Sequence, residues 1–284
     1  MSGPSAILRF APSPNGRLHL GHAYSALLNA KIAGDLGGTC RLRIEDIDPA
    51  RSKPELTEAI LTDLAWIGLA YPEPIRRQAA HMNEYRAVRD GLIGAGWAYA
   101  CFCSRGEIRA RAAACDPDGA PLYPGTCRDL DPAEAAARCA RGEPHTWRLA
   151  LSRALPQALK QGPLGYVAFD GEGERWVPAD PAPWGDAVIA RRDVPTSYYL
   201  AVVHDDALEG ITHVVRGADL EAATSLHVLL QRLLGLPTPR YHHHPLIQDE
   251  EGRKLAKSRG SPSLASLRDA GLSAGAIRAR VGFA

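Results

Sequence analysis

The stretch "RFAPSPNGRLHLGH", residues 9–22, joins an apolar strand-like run, "AILRF" (residues 6–10), to a helical one, "HAYSALLNAKIAG" (residues 22–34). A strand that turns into a helix N-terminus is a natural phosphate site, because the first N–H groups of the helix have no partner within it and point at the ligand. This turn also carries His19 and His22 around Gly21. Placed there, both imidazoles can donate hydrogen bonds to triphosphate oxygens as charge develops on them. Gly21 lets a base or ribose approach the backbone closely. The competing reading is that the histidines only cap or pack the helix. Two of them around a glycine, behind a proline-stiffened strand end, favour the phosphate.

Outward from this turn, "TCRLRIED" (39–46) reads as a second strand and "PELTEAILTDLAWIGL" (54–69) as a second helix with proline near its start. Gly34 is expected to close the first helix, and a third is expected over residues 79–97, ending at Gly96. Strand–helix–strand–helix argues for a parallel, helix-covered sheet. From residue 98 to about 193 cysteines, prolines and glycines gather and periodicity weakens, as in an inserted subdomain. "SYYLAVVHDDALEGITHVVRG" (197–217) then resumes buried-strand character, and "ADLEAATSLHVLLQRLLG" (218–235) reads as an amphipathic helix. "HHHPLIQDEEGRKLAKSRG" (242–260) reads as a loop with a charged tip, before short helices. The expected architecture is α/β: a Rossmann-like parallel sheet in two halves (1–97 and 194–240), interrupted at 98–193 and followed by a lysine loop and short helices (241–284).

The formal net charge of +1 does not by itself announce a nucleic-acid partner. The chain has only five lysines, Lys31, Lys53, Lys160, Lys254 and Lys257, so two of them within one "KLAKS" stand out. Lysine carries a compact, mobile charge suited to following a phosphoryl group as it becomes more negative. A loop bounded by Gly252 and Gly260 is free to close on a nucleotide. No apolar run reaches bilayer length, and the N-terminus lacks the pattern of a signal peptide, so a soluble, cytoplasmic protein with no membrane partner is expected.

In such a compartment six cysteines suggest metal ligands or buried thiols rather than disulfides. Cys40 and Cys139 read as small buried hydrophobes. Cys101 and Cys103 form a "CFC" pair, followed by "YPGTC" (123–127). Three thiolates and a fourth donor satisfy tetrahedral zinc. Spacing alone would favour Cys115 as the fourth.

"APSPNGRLHLGH" (11–22) and "KLAKS" (254–258) resemble the two signatures of the class I aminoacyl-tRNA synthetases, and "RFAPSPNG", "RIEDID" and "VRGADL" resemble their glutamyl branch. The likeness runs over essentially the whole chain. It departs at Leu20 in the first signature, where isoleucine is usual, and at Leu255 and Ala256 in the second, where methionine and serine are. The resemblance implies the class I catalytic fold with a zinc-binding insertion, and activation of L-glutamate by ATP with Mg²⁺. It implies catalytic roles for His19, His22, Lys254 and Lys257, and ATP contacts from His19, Gly21, His22 and Lys257. It carries glutamate binding onto Arg9, Phe10, Ala11, Pro12, Ser13, Glu45, Tyr198 and Arg216. It gives one structural Zn²⁺ to Cys101, Cys103, Tyr123 and Cys127, leaving Cys115 a spare thiol.

Elementary chemistry agrees with part of this assignment. Glutamate needs a cation for its side-chain carboxylate and an anion for its ammonium group. Arg9 and Glu45 close the first two strands, where open α/β sheets bind ligands. Tyr198 and Tyr199, on a strand, would face opposite ways, so only one could line a pocket. Arg216 has a bland alternative, a surface ion pair with Asp219.

The chain stops soon after "KLAKS", without the helical region that reads an anticodon in longer members of the branch. In this it looks like the members that attach glutamate to the queuosine base in the anticodon of tRNA(Asp). That tRNA is the expected partner, with Arg105, Arg109, Arg278 and Arg280 as candidate RNA contacts, and the expected state is a monomer. The alternatives are a truncated enzyme charging the 3′ end of tRNA(Glu), a non-catalytic RNA-binding paralogue, and a small-molecule adenylyltransferase.

Overall fold

The first strand, β1 (Ile7–Phe10), is apolar and buried along most of its length, as a strand with neighbours on both sides must be. It belongs to a computed structural model that describes residues 5–247 and 262–283. From β1 the chain passes through the proline turn into α1 (Leu20–Asp35), returns as β2 (Thr39–Ile44), and continues through α2 (Pro54–Trp66) to the short β3 (Arg76–Arg77). β1, β2 and β3 pair in parallel, with Ile7 opposite Thr39 and Arg43 opposite Arg76. Gly34 does not close α1. The helix runs on to Asp35, and the reversal falls on Gly37, whose φ of 60° suits glycine. The third helix is shorter than expected, with a 3-10 turn over Gln78–His81 ahead of α3 (Met82–Gly94).

Next come β4 (Ala98–Cys101), α4 (Arg105–Arg111), α5 (Pro132–Ala140), β5 (Thr146–Leu149), α6 (Leu151–Leu159), β6 (Gly165–Asp170), β7 (Gly173–Pro178) and β8 (Val188–Ala190). The 98–193 span is not confined to one sheet. β4, β5 and β8 form an antiparallel sheet of their own, whereas β6 and β7 join the strands that follow.

Those strands contain one correction. "SYYLAVVHDDAL" is not a strand but a helix, α7 (Tyr198–Leu208), capped by the Ser197 hydroxyl, which accepts from the amide of Leu200. It is buried on most sides between helices and sheet, and its first half, "YYLAVV", is an apolar run with no polar face to betray a helix. β9 (His213–Gly217) follows, then α8 (Ala223–Leu234), β10 (Arg240–His244), α9 (Leu264–Asp269) and α10 (Ala274–Arg280). α8 has the expected apolar and polar faces, but much of the polar one is buried too, through Thr224, His227 and Gln231. His242–His244, expected in a loop, are the end of β10, which pairs in parallel with β9 on one side and β6 on the other.

β1 and β9 lie side by side. The Thr212 amide donates to the Ile7 carbonyl at 2.9 Å, and the Ile7 amide donates to the Thr212 hydroxyl at 2.8 Å. From β1 the sheet therefore extends to β2 on one side and to β9 on the other. This reversal of direction is where such sheets open a crevice at their carboxyl ends. The buried Asn29 amide of α1 donates to the Val215 carbonyl at 3.1 Å and fixes the helix over that crevice. The fold class is the one expected, a parallel α/β sheet interrupted by a cysteine-bearing segment.

Candidate active site

A cavity of about 940 Å³ opens at the carboxyl ends of β1 and β9. Arg9, Phe10, Ala11, Pro12, Ser13, His19, Gly21, His22, Glu45, Tyr198 and Arg216 all line it. Lys254 and Lys257 lie outside the described residues. Sequence reasoning missed Asn15, Ser25, Asp219 and His244, which line the same cavity.

The two histidines do cap the helix. His19 is the N-cap of α1, and its Nδ1 accepts the Gly21 amide at 3.1 Å. His22, at the third helical position, accepts the His19 amide on its own Nδ1 at 3.1 Å. This is a reciprocal capping box built from imidazoles instead of the usual serine and glutamate. Capping and ligand binding are compatible here. A ring whose Nδ1 accepts an N–H carries its proton on Nε2 when neutral, so the caps select the tautomer able to donate from Nε2. The rings sit 3.9 Å apart between centroids.

Across the cavity lies a buried ionic network. Arg9 Nε donates to Asp206 at 3.1 Å, and Arg43 donates to Asp206 at 2.8 Å, Glu209 at 2.8 Å and Glu45 at 3.3 Å. Arg76, Gln78 and Tyr85 converge on Asp205 behind it, and Arg76 also reaches Glu84. Three guanidiniums thus face five carboxylates, an excess of negative charge suited to an ammonium ligand. Burial pushes the Glu45 carboxyl up from its ordinary value against the pull of Arg43 and Arg9. At Asp206 burial acts the same way, but Arg9 and Arg43 prevail and hold it below the usual range. Arg43, Asp205 and Asp206 were not singled out from the sequence; the signal was charge inside otherwise apolar elements.

Arg216 differs from those arginines. It is 5 % exposed, and its partners are the Thr224 hydroxyl at 2.7 Å, the Leu220 carbonyl at 3.1 Å, His227 at 3.2 Å and His243 at 3.4 Å. All are neutral groups. Burial, then Arg216, lowers His227 well below the ordinary imidazole range and pushes His243 down to about 3. Among the described residues no salt bridge reaches Arg216, so the surface pair with Asp219 is absent. A buried cation with neutral partners, facing a cavity, is suited to an incoming carboxylate.

Tyr198, in the first turn of α7, lines the cavity, and burial raises its hydroxyl pKa. Tyr199 instead donates to Asp118 at 2.6 Å. The two tyrosines diverge because successive helical residues point about 100° apart, not because a strand alternates.

The cysteine cluster stands apart from the cavity. The Sγ atoms of Cys101, Cys103 and Cys127 lie within 4.8 Å of one another, with Cys103 and Cys127 at 3.5 Å. The Tyr123 hydroxyl is 3.9 Å from the Cys103 Sγ. A tetrahedral zinc with bonds to sulfur of about 2.3 Å needs sulfurs about 3.8 Å apart, so these groups fit such an ion. The Arg148 guanidinium lies 4.0 Å over the Tyr123 ring, but burial and then the Cys101 contact raise the Tyr123 hydroxyl well above its ordinary pKa. Without a metal, burial and the Cys127 contact push the Cys103 thiol up to about 11. At Cys127 burial opposes ionisation, but hydrogen bonds from the Phe102 backbone, Tyr123 and the other thiols outweigh it and lower the thiol's pKa. Cys115, the choice that spacing favoured, is exposed and outside the cluster. Cys40 and Cys139 are half-buried, and burial pushes the Cys40 thiol up to about 12.

Residues 6–277 match the family described as tRNA synthetases class I (E and Q), catalytic domain. A glutamyl-Q tRNA(Asp) synthetase from Rhodobacter capsulatus is 42 % identical, over 98 % of this chain and 100 % of its own length. Another, from Symbiobacterium thermophilum, is 42 % identical over 93 % of this chain and 82 % of its own. Among solved structures, a glutamate tRNA ligase from Elizabethkingia meningosepticum superposes with a TM-score of 0.71 at 29 % identity. That match covers 90 % of this chain but only 53 % of the ligase, so the chain spans about half the length of that structure.

Proposed function

Because this chain belongs to the class I tRNA synthetases of the E and Q type, in the glutamyl-Q tRNA(Asp) synthetase family, we propose that it activates L-glutamate with ATP in the absence of tRNA and then esterifies the queuosine base of tRNA(Asp). The observation that carries the first half is Arg216, a buried guanidinium with only neutral partners among the described residues, at a cavity headed by the capped end of α1. Arg216 takes the side-chain carboxylate of glutamate, and the acid-rich network of Glu45 and Asp206 around Arg9 and Arg43 takes its ammonium group. The α-carboxylate is then left to attack.

One of its oxygens bonds to the α-phosphorus of ATP, the bond to the bridging oxygen breaks, and pyrophosphate leaves with that electron pair. A carboxylate is already a nucleophile, so no general base is needed, and catalysis is positioning and charge stabilisation. His19 and His22 donate from Nε2, and the Mg²⁺ that accompanies ATP shields its phosphates. Lys254 and Lys257 have the charge to follow the leaving group. In the second step a hydroxyl of the queuosine cyclopentene ring attacks the activated carbonyl. The bond from the carbonyl carbon to the phosphate oxygen breaks, AMP leaves with that electron pair and takes up the hydroxyl's proton, and the ester forms on the base.

The test is glutamate-dependent exchange of pyrophosphate into ATP, run with and without RNA, followed by transfer of labelled glutamate. Exchange is expected without RNA. Label is expected on tRNA(Asp) from cells that make queuosine, is expected to appear also on that tRNA after enzymatic removal of its 3′-terminal adenosine, and is expected to be absent from the same tRNA lacking the modified base. If tRNA(Glu) is the substrate and removal of its 3′-terminal adenosine abolishes charging, the chain acts at a 3′ end instead.

A further inference from the structure

A second cavity, of about 350 Å³, lies between α3 and the segments at residues 142–147 and 191–195. Its walls include Arg86, Arg89, Arg191, Arg192, His145 and Trp147. Two of these arginines are already neutralised: Arg191 pairs with Asp48 and Asp193 at 2.8 Å each, and Arg89 pairs with Asp90 at 2.7 Å. The other two are exposed and, among the described residues, in no salt bridge. Arg86 donates to the Asn83 side chain at 2.9 Å, and Arg192 to the carbonyls of Phe102 (3.2 Å) and Cys103 (2.7 Å). Trp147 is half-buried, held edge-on by His145 at 5.3 Å between ring centroids, with Arg89 6.0 Å from its ring. Glu143 and Asp193 on the same walls are held by Arg138, Arg141 and Arg191, and guanidiniums outside any salt bridge beside an aromatic face are the pairing that single-stranded RNA uses, phosphate on arginine and base on ring.

The two cavities are close. Glu45 lines the first, and Asp48, three residues on, holds Arg191 in the wall of the second. The chain from residue 45 to 48 and the Asp48–Arg191 pair thus join the two walls, and an RNA loop with one base in the first cavity is placed to run toward the second. We propose that this groove seats a nucleotide adjacent to the one being esterified, with its phosphate on Arg86 and Arg192 and its base against Trp147. The inference rests on the reading of an anticodon-loop acceptor given above. Arg105, Arg109, Arg278 and Arg280 line neither cavity, so the contacts proposed here are additional to them.

The experiment uses the full chain and queuosine-bearing tRNA(Asp), and reads pyrophosphate exchange and glutamate transfer separately. Arg86→Ala and Trp147→Ala are expected to leave RNA-free exchange within twofold of the parent. Trp147→Ala is expected to raise the KM for tRNA roughly 5- to 100-fold, the range of one lost base stack, while Trp147→Phe keeps a stacking face and restores most of the affinity. Arg86→Ala is expected to make the plot of log affinity against log salt shallower by about 0.7, one single-strand phosphate contact. An unchanged tRNA KM in both alanine variants overturns the proposal, as does an unchanged salt slope with Arg86→Ala. Because the parent is measured alongside, failure of the parent to glutamylate tRNA(Asp) at all would instead overturn the functional reading.

Discussion

His22 Nδ1 accepts the amide of His19 at 3.1 Å while His19 Nδ1 accepts the amide of Gly21 at the same distance. Each ring thus supports the helix with its Nδ1, while the proposed donation to ATP uses Nε2. These two duties can be separated by substitution.

His19→Asn keeps a good N-cap and removes the Nε2 donor. Urea unfolding should change little, while the turnover of pyrophosphate exchange should fall by about 10²–10³, the cost of losing one transition-state donor. His19→Ala should lose the same activity and also about 1 kcal/mol of stability. If His19→Asn exchanges pyrophosphate as fast as the parent, the ring serves only as a cap.

Arg216→Ala should weaken glutamate recognition by about 2–5 kcal/mol, read as kcat/KM for glutamate in exchange. The unmodified protein should reject glutamine, which offers Arg216 no charge. Equal use of the two amino acids would remove Arg216 from the pocket.

Lys257→Ala should lower exchange turnover more than ATP affinity, because a lysine that follows the leaving group matters most in the transition state. A variant that loses only ATP affinity would make the lysine a ground-state contact.

One zinc per chain is expected by elemental analysis. Cys101→Ser and Cys127→Ser should lower metal content and the stability of the segment after residue 98, whereas Cys115→Ser should leave both unchanged. Tyr123→Phe decides the fourth ligand: metal affinity equal to the parent's would exclude the phenolate. Binding must ionise Cys103, whose thiol burial pushes up to about 11, so metal uptake should release protons and weaken in acid.

Burial, and then Arg216, hold His243 down to about 3, whereas an unfolded chain protonates histidine near its ordinary 6.5. Between those values unfolding takes up a proton, so stability falls as pH falls. His227 and His244 are also lowered, chiefly by burial, and act in the same direction. The urea midpoint should therefore drop between pH 6.5 and about pH 5. Asp206 and Glu84 are held low, and their contribution is lost only in stronger acid. His243→Gln, which keeps an acceptor and cannot titrate, should flatten the drop. An identical slope in that variant would mean that the drop comes from other groups.

What could be read from the sequence was the local and the periodic. The strand–proline turn–helix at residues 7–35 and the second strand declare themselves through short apolar runs, and they place Arg9, His19, His22 and Glu45. α7 could not be read this way. Its "SYYLAVV" is buried on most sides, and an apolar run without a polar face has no period to distinguish helix from strand. Ser197, three residues before the Leu200 amide it caps, was the only local sign. The network joining Arg43 to Asp205, Asp206 and Glu209 was hidden for another reason. Its members are more than 160 residues apart in sequence, and nothing in either stretch names the other. The pairing of β6 with β10, which carries the 98–193 span into the main sheet, is equally nonlocal.

The seam between Ile7 and Thr212 joins positions 205 residues apart in the chain. A ribosome adding roughly 5–20 residues per second needs about 10–40 s to deliver the second after the first. Through that interval one edge of β1 has no partner, and an open strand edge is a template for whichever chain comes near. Until residues 213–217 have been made, nothing in the chain can cover that edge as β9 does.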